Sequence, residues 1–560
     1  MRRLLCLMLV LIMLFAQVCA AAAQDADQVP VLSINSTVFP LPSTLTLTAW
    51  VVNASASISA TDSYVLTWIR EKANINLVID REFTGNEAKN QLMLAIEASD
   101  HLPDLLLCTR WTKAECALYS SYGVVICLDE YLQDCVNWNR LNEICGPAHA
   151  ADLRMPDGHI YCYGSVNECF HLTHQARMWV YRPWIDLLCD GKLPETTEEF
   201  YTYLYRVATL DPNGNGMADE IPLNGQICEG WANDPFTFLS NAFVHNNTIW
   251  GSTNQTVAAG CYIDGGKVIC NWVEDGYREA LRYMNRLYHD GLLNPQVFTQ
   301  NYSQMIAKTL ATPHLVGAVA MGGIPDVDET STCILPDGTW SEWVCLPPLE
   351  GPDGVRLSYQ STYDYFYNCN GLITRDCEHP WEAAQLFDLL ASAEGTMVQN
   401  YGPEGIGWEW CDASVGSGIN GSRALYRVNK LKIQNNAWPP DVQICSLYDT
   451  FRRGLLVEEG VLNGEDMLWQ CAATYEPYSP GVETVYPSIS CSLEQSLALL
   501  LYQSSIETYV RRASINFIIG HMDLDRDWNT YLSQLDTLGQ DEYRRMLQED
   551  YDSYLSTARQ

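Results

Sequence analysis

Short apolar runs alternate with amphipathic helical segments over residues 45–107, and this alternation restricts the fold more than any other feature of the sequence. Residues 45–52 (LTLTAWVV) have the β-branched and aromatic content of a strand. Residues 62–73 follow with Tyr64, Leu66, Trp68 and Ile69 available to one buried side, which predicts a helix. A second strand is predicted over 75–79 and a helix over 86–98, with Leu92, Leu94, Ala95 and Ile96 apolar. A third strand begins at Leu105, after Pro103 and Asp104. Strands separated by helices connect as right-handed βαβ units, so the expectation is an α/β protein with a largely parallel sheet. Further helices are expected over 197–208, 275–289, 380–393, 493–517 and 526–554, and strand-like segments at 315–321 and 372–374. Gly- and Pro-rich breaks fall near 146–147, 322–325, 347–354 and 416–421.

A chain of 560 residues is long enough for two to four domains, or two large lobes, at roughly 150 residues each. Hydrophobic residues make up 47% and charged residues 18%, enough apolar material for substantial cores. The 33 Lys+Arg and 68 Asp+Glu leave a formal charge of −35. Such a surface repels polyanions, which excludes a direct nucleic-acid grip and docking on anionic lipid.

The first 23 residues have the layout of a secretory signal. Arg2 and Arg3 form a basic start, Leu4 to Phe15 an apolar run of 12 residues, and Ala20 to Ala23 a small-residue cleavage region. The apolar run is too short for a permanent span. Cleavage near Ala23 is expected, with lipid attachment at Cys19 as the alternative, although Ala16, Gln17 and Val18 fit a lipid-attachment signal poorly. Of the 21 cysteines, Cys6 and Cys19 fall in the signal, and the 19 that remain are an odd number. Many sit in apolar runs (Cys108, Cys127, Cys445), which predicts buried thiols as the main use, with a partial disulfide set as the alternative.

One segment carries definite ion chemistry. Asp211, Asn213, Asn215 and Asp219 place side-chain oxygens at positions 1, 3, 5 and 9 of a loop with Gly216 at position 6 and the Met217 carbonyl at position 7. A hard cation takes six to eight oxygens, and alternate positions of a tightly turning loop aim them inward. Pro222 stands where an EF-hand has its bidentate Glu, and Glu220 at position 10 is the available substitute. Ca²⁺ is the expected cofactor. The G-x-G-x-x-G match at Gly416, Gly418 and Gly421 has no suitable strand before it and reads as a loop. Neither G-x-S-x-G, H-E-x-x-H nor a Walker A sequence occurs.

Seventeen Trp and 31 Tyr outnumber 13 Phe, so rings with a polar edge dominate the aromatic set. Such rings stack on the CH faces of sugars while their edges hydrogen-bond. Trp50, Trp111, Trp231, Trp408 and Trp410, in turn or strand-end contexts, are the candidate ligand-binding residues.

Several of these segments, in order, resemble motifs of the extracellular solute-binding proteins of carbohydrate ABC importers (family 1-like, the large lipoprotein-type branch), and also those of alginate-oligosaccharide-binding proteins. The resemblance rests on the opening strand with the helix ending Trp68, Ile69, Arg70, Glu71, Lys72, on Gln91 to Asp104, and on Pro156 to Tyr161 (PDGHIY). It continues through 193–200, the 211–222 loop, Asn400 to Gly405 and Phe517 to Gly520. It implies a type II, two-lobed periplasmic-binding-protein-like fold with hinge-linked, discontinuous lobes. The expected division is 30–155 and 336–415 in one lobe, and 156–335, containing the calcium loop 211–220, and 416–560 in the other. It implies capture of an oligosaccharide in the inter-lobe cleft, delivery to ABC permease subunits, no catalysis, a monomeric state, and residence outside a Gram-positive-type cell. A secreted carbohydrate-active hydrolase, or a peptide- or metabolite-binding sensor on the same scaffold, is the alternative.

Overall fold

A computed structural model describes residues 38–558 apart from 54–58, 86, 229–230, 251–257, 326–341, 367–368, 413, 430–442, 459–462 and 490–491. The signal segment and Cys19 therefore lie outside the described residues.

The opening alternation folds as expected. Strand Leu45–Asn53 pairs in parallel with Ile75–Thr84 and with Leu105–Leu107, and Leu372–Ile373 joins antiparallel at the edge. The helix between the first two strands, Tyr64–Ala73, starts where the Ser63 hydroxyl accepts from the Val65 N–H. It ends at Asn74 in the left-handed conformation, φ 56°, and the strand follows at once. Asp104, before the third strand, accepts from both the backbone N–H and the hydroxyl of Thr48 at 2.7 and 2.8 Å, fixing that strand against the central one. Leu47, Ala49, Val51 and Val52 of the central strand are fully buried, as befits a strand covered on both faces.

A second four-stranded sheet runs Trp343–Leu346, Met178–Tyr181, Val316–Ala320, Ile221–Asn224. Met178–Tyr181 is antiparallel to both neighbours, and Ile221–Asn224 is parallel to Val316–Ala320. Helix Asp275–His289 contributes Tyr277, Ala280, Leu281, Met284 and Leu287, which recur at helical spacing, to the same core as this sheet. The long helical pattern expected over 526–554 divides into Trp528–Thr537 and Gln540–Ala558, because Gly539 takes φ 84° and stops the first.

Two hydrophobic cores result. One is built from Leu47 to Val166 and from Tyr365 to Leu455; the other from Met178 to Leu349 and from Leu468 to Leu547. Among the described residues the chain passes between them at 167–177, 350–364 and 456–467. The cores divide the sequence differently from the expected boundaries at 335/336 and 415/416. Trp343 and Leu346 belong to the second core because their strand hydrogen-bonds to Met178–Tyr181. Ile419, Tyr426, Tyr448 and Phe451 belong to the first, where Ser446–Leu447 pairs with Val166–Asn167. The glycine-rich 416–421 segment is a turn within that lobe, with Gly418 N–H donating to Ser422 O at 2.7 Å.

Of 17 described cysteines, 15 are thiols, nine of them buried, while Cys345 and Cys471 form a disulfide. It ties the sheet of the second lobe to helix Gly464–Tyr475, which begins within the third crossover. A cross-link spanning 126 residues contributes about 5 kcal/mol in the loop-entropy view. Replacing both cysteines by alanine should lower the melting temperature by several degrees; an unchanged melting curve would mean the bond does not form.

His149 sits in the first core at 1% exposure, its Nδ1–H donating to Asn142 Oδ1 at 2.8 Å and its ring 4.8 Å from Trp138. Burial pushes its pKa down to about 4, against the opposing pull of Asp152. A base that titrates lower when folded binds fewer protons than the unfolded chain between pH 6.5 and 4, so stability falls as pH drops through that window. At pH 5 this amounts to about 2 kcal/mol. Denaturant titrations at pH 7 and pH 5 should show a smaller loss for His149→Gln than for the parent, and equal losses would assign the slope to other groups.

Candidate functional site at the crossovers

In the first sheet the chain leaves the central strand toward one side and returns on the other, so the connections on its two flanks part at the carboxyl ends of Leu45–Asn53 and Leu105–Leu107. Such a parting opens a crevice that suits a ligand. The backbone there is unusual: Cys108 and Arg110 hold φ 54° and 56°, a conformation that non-glycine residues adopt at a cost. Thr109 anchors the turn through its hydroxyl to Cys369 O at 3.3 Å.

In the second lobe, the residues that follow Ile221–Asn224 and Val316–Ala320 come together. Gly322 is required there, since a Cβ would stand 2.7 Å from the indole of Trp231. The Gly322 N–H donates to Trp231 O at 2.8 Å, and the indole N–H of Trp231 donates to Gln175 Oε1 at 2.6 Å. Gln175 in turn donates to the Tyr359 hydroxyl at 3.2 Å. Gln175 belongs to the first crossover and Tyr359 to the second, so Trp231 is held by both connecting segments. It packs against a small cluster of Ala176, Ala232, Ile249 and Tyr359, separate from the two large cores. The fully buried Arg177 lies 5.7 Å from its ring and donates to the carbonyls of Gly322 and His171. Burial lowers the Arg177 pKa to about 10, which leaves it charged at neutral pH. Asn233 and Ser358 are buried beside these segments, and among the described residues neither amide atom of Asn233 nor Ser358 Oγ has a partner. Unsatisfied buried polar groups of this kind are costly and are kept where something else satisfies them.

A charged network spans the first and third crossovers. Glu465, at the start of helix Gly464–Tyr475, accepts from Arg452 at 2.9 Å and lies 3.2 Å from His171 Nε2. Burial opposes charge on His171, but Cys169 and Glu465 beside it carry its pKa above the usual value. Burial likewise opposes a Cys169 thiolate, and Arg452 and His171 outweigh it, so the thiol titrates below its usual value. Cys169, His171 and Glu465 bring ligand atoms within 4.8 Å of one another, as do Cys127, Asp129 and His159. In the second trio His159 Nδ1 is already 2.7 Å from Asp129. Both trios are thus paired internally.

The 211–220 loop joins helix Thr197–Thr209 to strand Ile221–Asn224, remote from these connections in the chain but in the same lobe. Gly214 and Gly216 take φ 71° and 76° and let the chain curl. The Asp211 carboxylate accepts from Asn215 N–H (3.2 Å) and Gly216 N–H (2.9 Å); Asn213 Oδ1 accepts from Asn215 N–H (3.0 Å) and Asn215 Oδ1 from Met217 N–H (2.7 Å). The Asp219 carboxylate accepts from both asparagine amides at 3.1–3.4 Å. Glu220 Oε1 is buried with no partner among the described residues, and burial, with Asp211 and Asp219 nearby, pushes its carboxyl pKa up. Three converging carboxylates, an all-oxygen donor set and an orphaned carboxylate oxygen fit a hard divalent cation. The Met217 side chain is 58% exposed, which leaves only its carbonyl for a ligand.

The candidate tryptophans separate. Trp50 is 3% exposed, its N–H donating to Asp80 at 2.8 Å; Trp111 is stacked on Tyr119 at 4.5 Å; Trp408 donates to Gly402 O at 2.8 Å and is 1% exposed. These three are packing residues of the first core and offer no open ring face. Trp410 is 40% exposed on the ribbon of Trp408–Trp410 and Tyr426–Val428, edge-on to Trp408. Trp231 alone of the five joins the crossovers. Gln175, Arg177, Asn233, Ser358 and Tyr359 were not singled out from the sequence. The signal that could have found part of this edge is the Gly322–Gly323 pair at the end of an apolar strand, where a backbone must let another group approach.

No protein-family model matches the chain. Over 96% of its length it is 22% identical to FusA, the fructooligosaccharide ABC transporter substrate-binding protein of Streptococcus pneumoniae, again over 96% of that chain. The structure of FusA in complex with kestose has a TM-score of 0.73 at 19% identity, covering 91% of this chain and all of FusA. A FusA EF-hand mutant in complex with fructo-nystose gives 0.72. An HMO-binding, ABC-transporter-associated solute-binding protein from Bifidobacterium longum infantis gives 0.71 at 20% identity, covering 91% and 99%. Alginate-binding protein AlgQ2 gives 0.66 at 18% identity, covering 91% and 98%. The chain shares the two-lobed fold of the solute-binding proteins and is similar, along nearly its whole length, to a substrate-binding protein of an ABC transporter.

Proposed function

We propose that this protein captures an oligosaccharide between its two lobes and presents it to the permease subunits of an ABC importer, without catalysing a reaction. The observation that carries the reading is Trp231, a half-buried ring held by two of the three connecting segments and set against the glycine edge of the second lobe. A sugar that touches both lobes favours their approach, and the approach moves the crossovers. The acidic surface favours a neutral sugar over an anionic one, and FusA is described as binding fructooligosaccharides. Export with cleavage near Ala23, or tethering at Cys19, places the protein outside the cell. Among the described residues no helix is long and apolar enough to cross a membrane.

Kestose, nystose and a panel of neutral oligosaccharides, titrated while tryptophan fluorescence and calorimetric heat are followed, should include one that saturates at micromolar concentration. Trp231→Ala should weaken it at least about tenfold, a loss of about 1.4 kcal/mol, while Trp410→Ala leaves it unchanged. Hydrolysis of the bound oligosaccharide would establish the hydrolase reading instead, and binding of peptides in place of sugars the sensor reading.

The loop of Asp211, Asn213, Asn215, Asp219 and Glu220, with the Met217 carbonyl, is proposed to hold Ca²⁺ as a brace between helix Thr197–Thr209 and the edge strand of the second sheet. Binding to the folded state alone stabilises by about 2.7 kcal/mol at a hundredfold excess over Kd. Chelator-treated protein should therefore melt lower and recover with Ca²⁺, and Glu220→Gln should reduce that recovery. Identical melting with and without chelator would remove the ion from the account.

A further inference from the structure

In the second lobe, strands Cys261–Asp264 and Lys267–Cys270 form a hairpin turned by Gly265 and Gly266. Both glycines have positive φ, 54° and 81°, the conformation that a two-residue turn between twisted strands requires. So short a turn fixes the register: Asp264 faces Lys267, Ile263 faces Val268, Tyr262 faces Ile269 and Cys261 faces Cys270. Alternation along the strands then directs Cys261, Ile263, Val268 and Cys270 to one face, and all four are at most 5% exposed. Just beyond the cysteines, Asn271 N–H donates to Gly260 O at 2.9 Å, so Cys261 and Cys270 occupy a non-hydrogen-bonded pair, where facing side chains come closest. Their Sγ atoms are 3.1 Å apart. A disulfide needs about 2.05 Å, so the sulfurs must move together by only about 1 Å, within the reach of their own side-chain torsions.

We propose that Cys261 and Cys270 are joined by a disulfide in the mature protein, a second cross-link beside Cys345–Cys471. The inference rests on the exported reading for its setting and on the hairpin geometry for its chemistry. Oxidation proceeds by exchange with a small-molecule disulfide. One cysteine loses its proton and attacks a sulfur of that disulfide, expelling one small thiolate and forming a mixed disulfide. The other cysteine, also deprotonated, attacks the protein sulfur of the mixed disulfide and expels the second thiolate. The two released protons convert both leaving thiolates to thiols, so the protein loses two hydrogens and the small disulfide is reduced. The bond stiffens a platform that other parts of the lobe use. Gln548 of helix Gln540–Ala558 accepts from Val268 N–H at 2.8 Å and donates to Gly266 O at 3.1 Å. Tyr262 and Asp264 line a hollow of about 740 Å³ with His245 and Glu274.

Lys267 lies between the two cysteines, so trypsin cuts the hairpin, and only a disulfide then holds fragment 207–267 to fragment 268–278. Cys228 shares the first fragment and is exposed, so the full-length Cys228→Ser protein is used beside the parent. Secreted protein is denatured in acid, its thiols are alkylated without reductant, and the digest is read by mass spectrometry. Linked fragments, lighter by two hydrogens than their sum, are expected in both proteins. A second arm reduces the folded protein and exposes it to oxidised glutathione, and the same link should return. Complete alkylation of Cys261 and Cys270 in both arms overturns the proposal, as does a link from Cys270 to another cysteine. Protein that stays inside the cell yet relinks with glutathione counts against export and for the pair.

Discussion

The constraint on which the rest of this structure depends is that two hydrophobic cores are built from one chain that, among the described residues, crosses between them three times. Each core is closed by its own sheet: the first around the fully buried Leu47, Val51 and Val52, the second around Val316, Ala318 and Val319. Apolar burial therefore stabilises each lobe separately, and the connecting segments, together with direct contacts such as Lys113 Nζ donating to Ser488 Oγ at 2.8 Å, set how the lobes sit together.

The connecting segments are accordingly polar where the cores are not. Arg177, His171, Cys169, Glu465 and Arg452 form a partly buried network across the first and third crossovers, while Gln175 and Tyr359 link the first and second through Trp231. Removing one partner of such a network leaves another buried charge uncompensated, so its members hold a specific geometry more than they add stability. Asn233 and Ser358, buried without partners among the described residues, mark where hydrogen-bonding capacity is held open beside that geometry.

Local features of the fold were legible in the sequence because they are set by nearest neighbours. The alternation over residues 45–107, the helix ending at Asn74, and the register of the oxygen-bearing loop from Asp211 to Glu220 follow from turn residues, capping and side-chain periodicity. The lobe boundaries were not legible, because the glycine-rich 416–421 segment reads the same whether it ends a lobe or turns within one. What decided it was the pairing of Ser446–Leu447 with Val166–Asn167, a contact across some 280 residues. The surroundings of the five tryptophans were not legible for a related reason. A ring at a strand end points into a core or out to a crevice depending on what the neighbouring strand and helix cover, and Trp50, Trp111 and Trp408 are covered.

By itself, then, the sequence determined the α/β class, the order of the first elements, the oxygen loop and the resemblance to solute-binding proteins, since each rests on residues within one or two turns of one another. Only the tertiary structure decided which segments share a core, that Trp231 rather than the other candidates meets Gln175 and Gly322, that Cys345 finds Cys471, and that Cys261 faces Cys270 against a buried face. Those outcomes depend on which surfaces exclude water together, and that is a property of the packed chain, set by contacts between segments far apart in sequence.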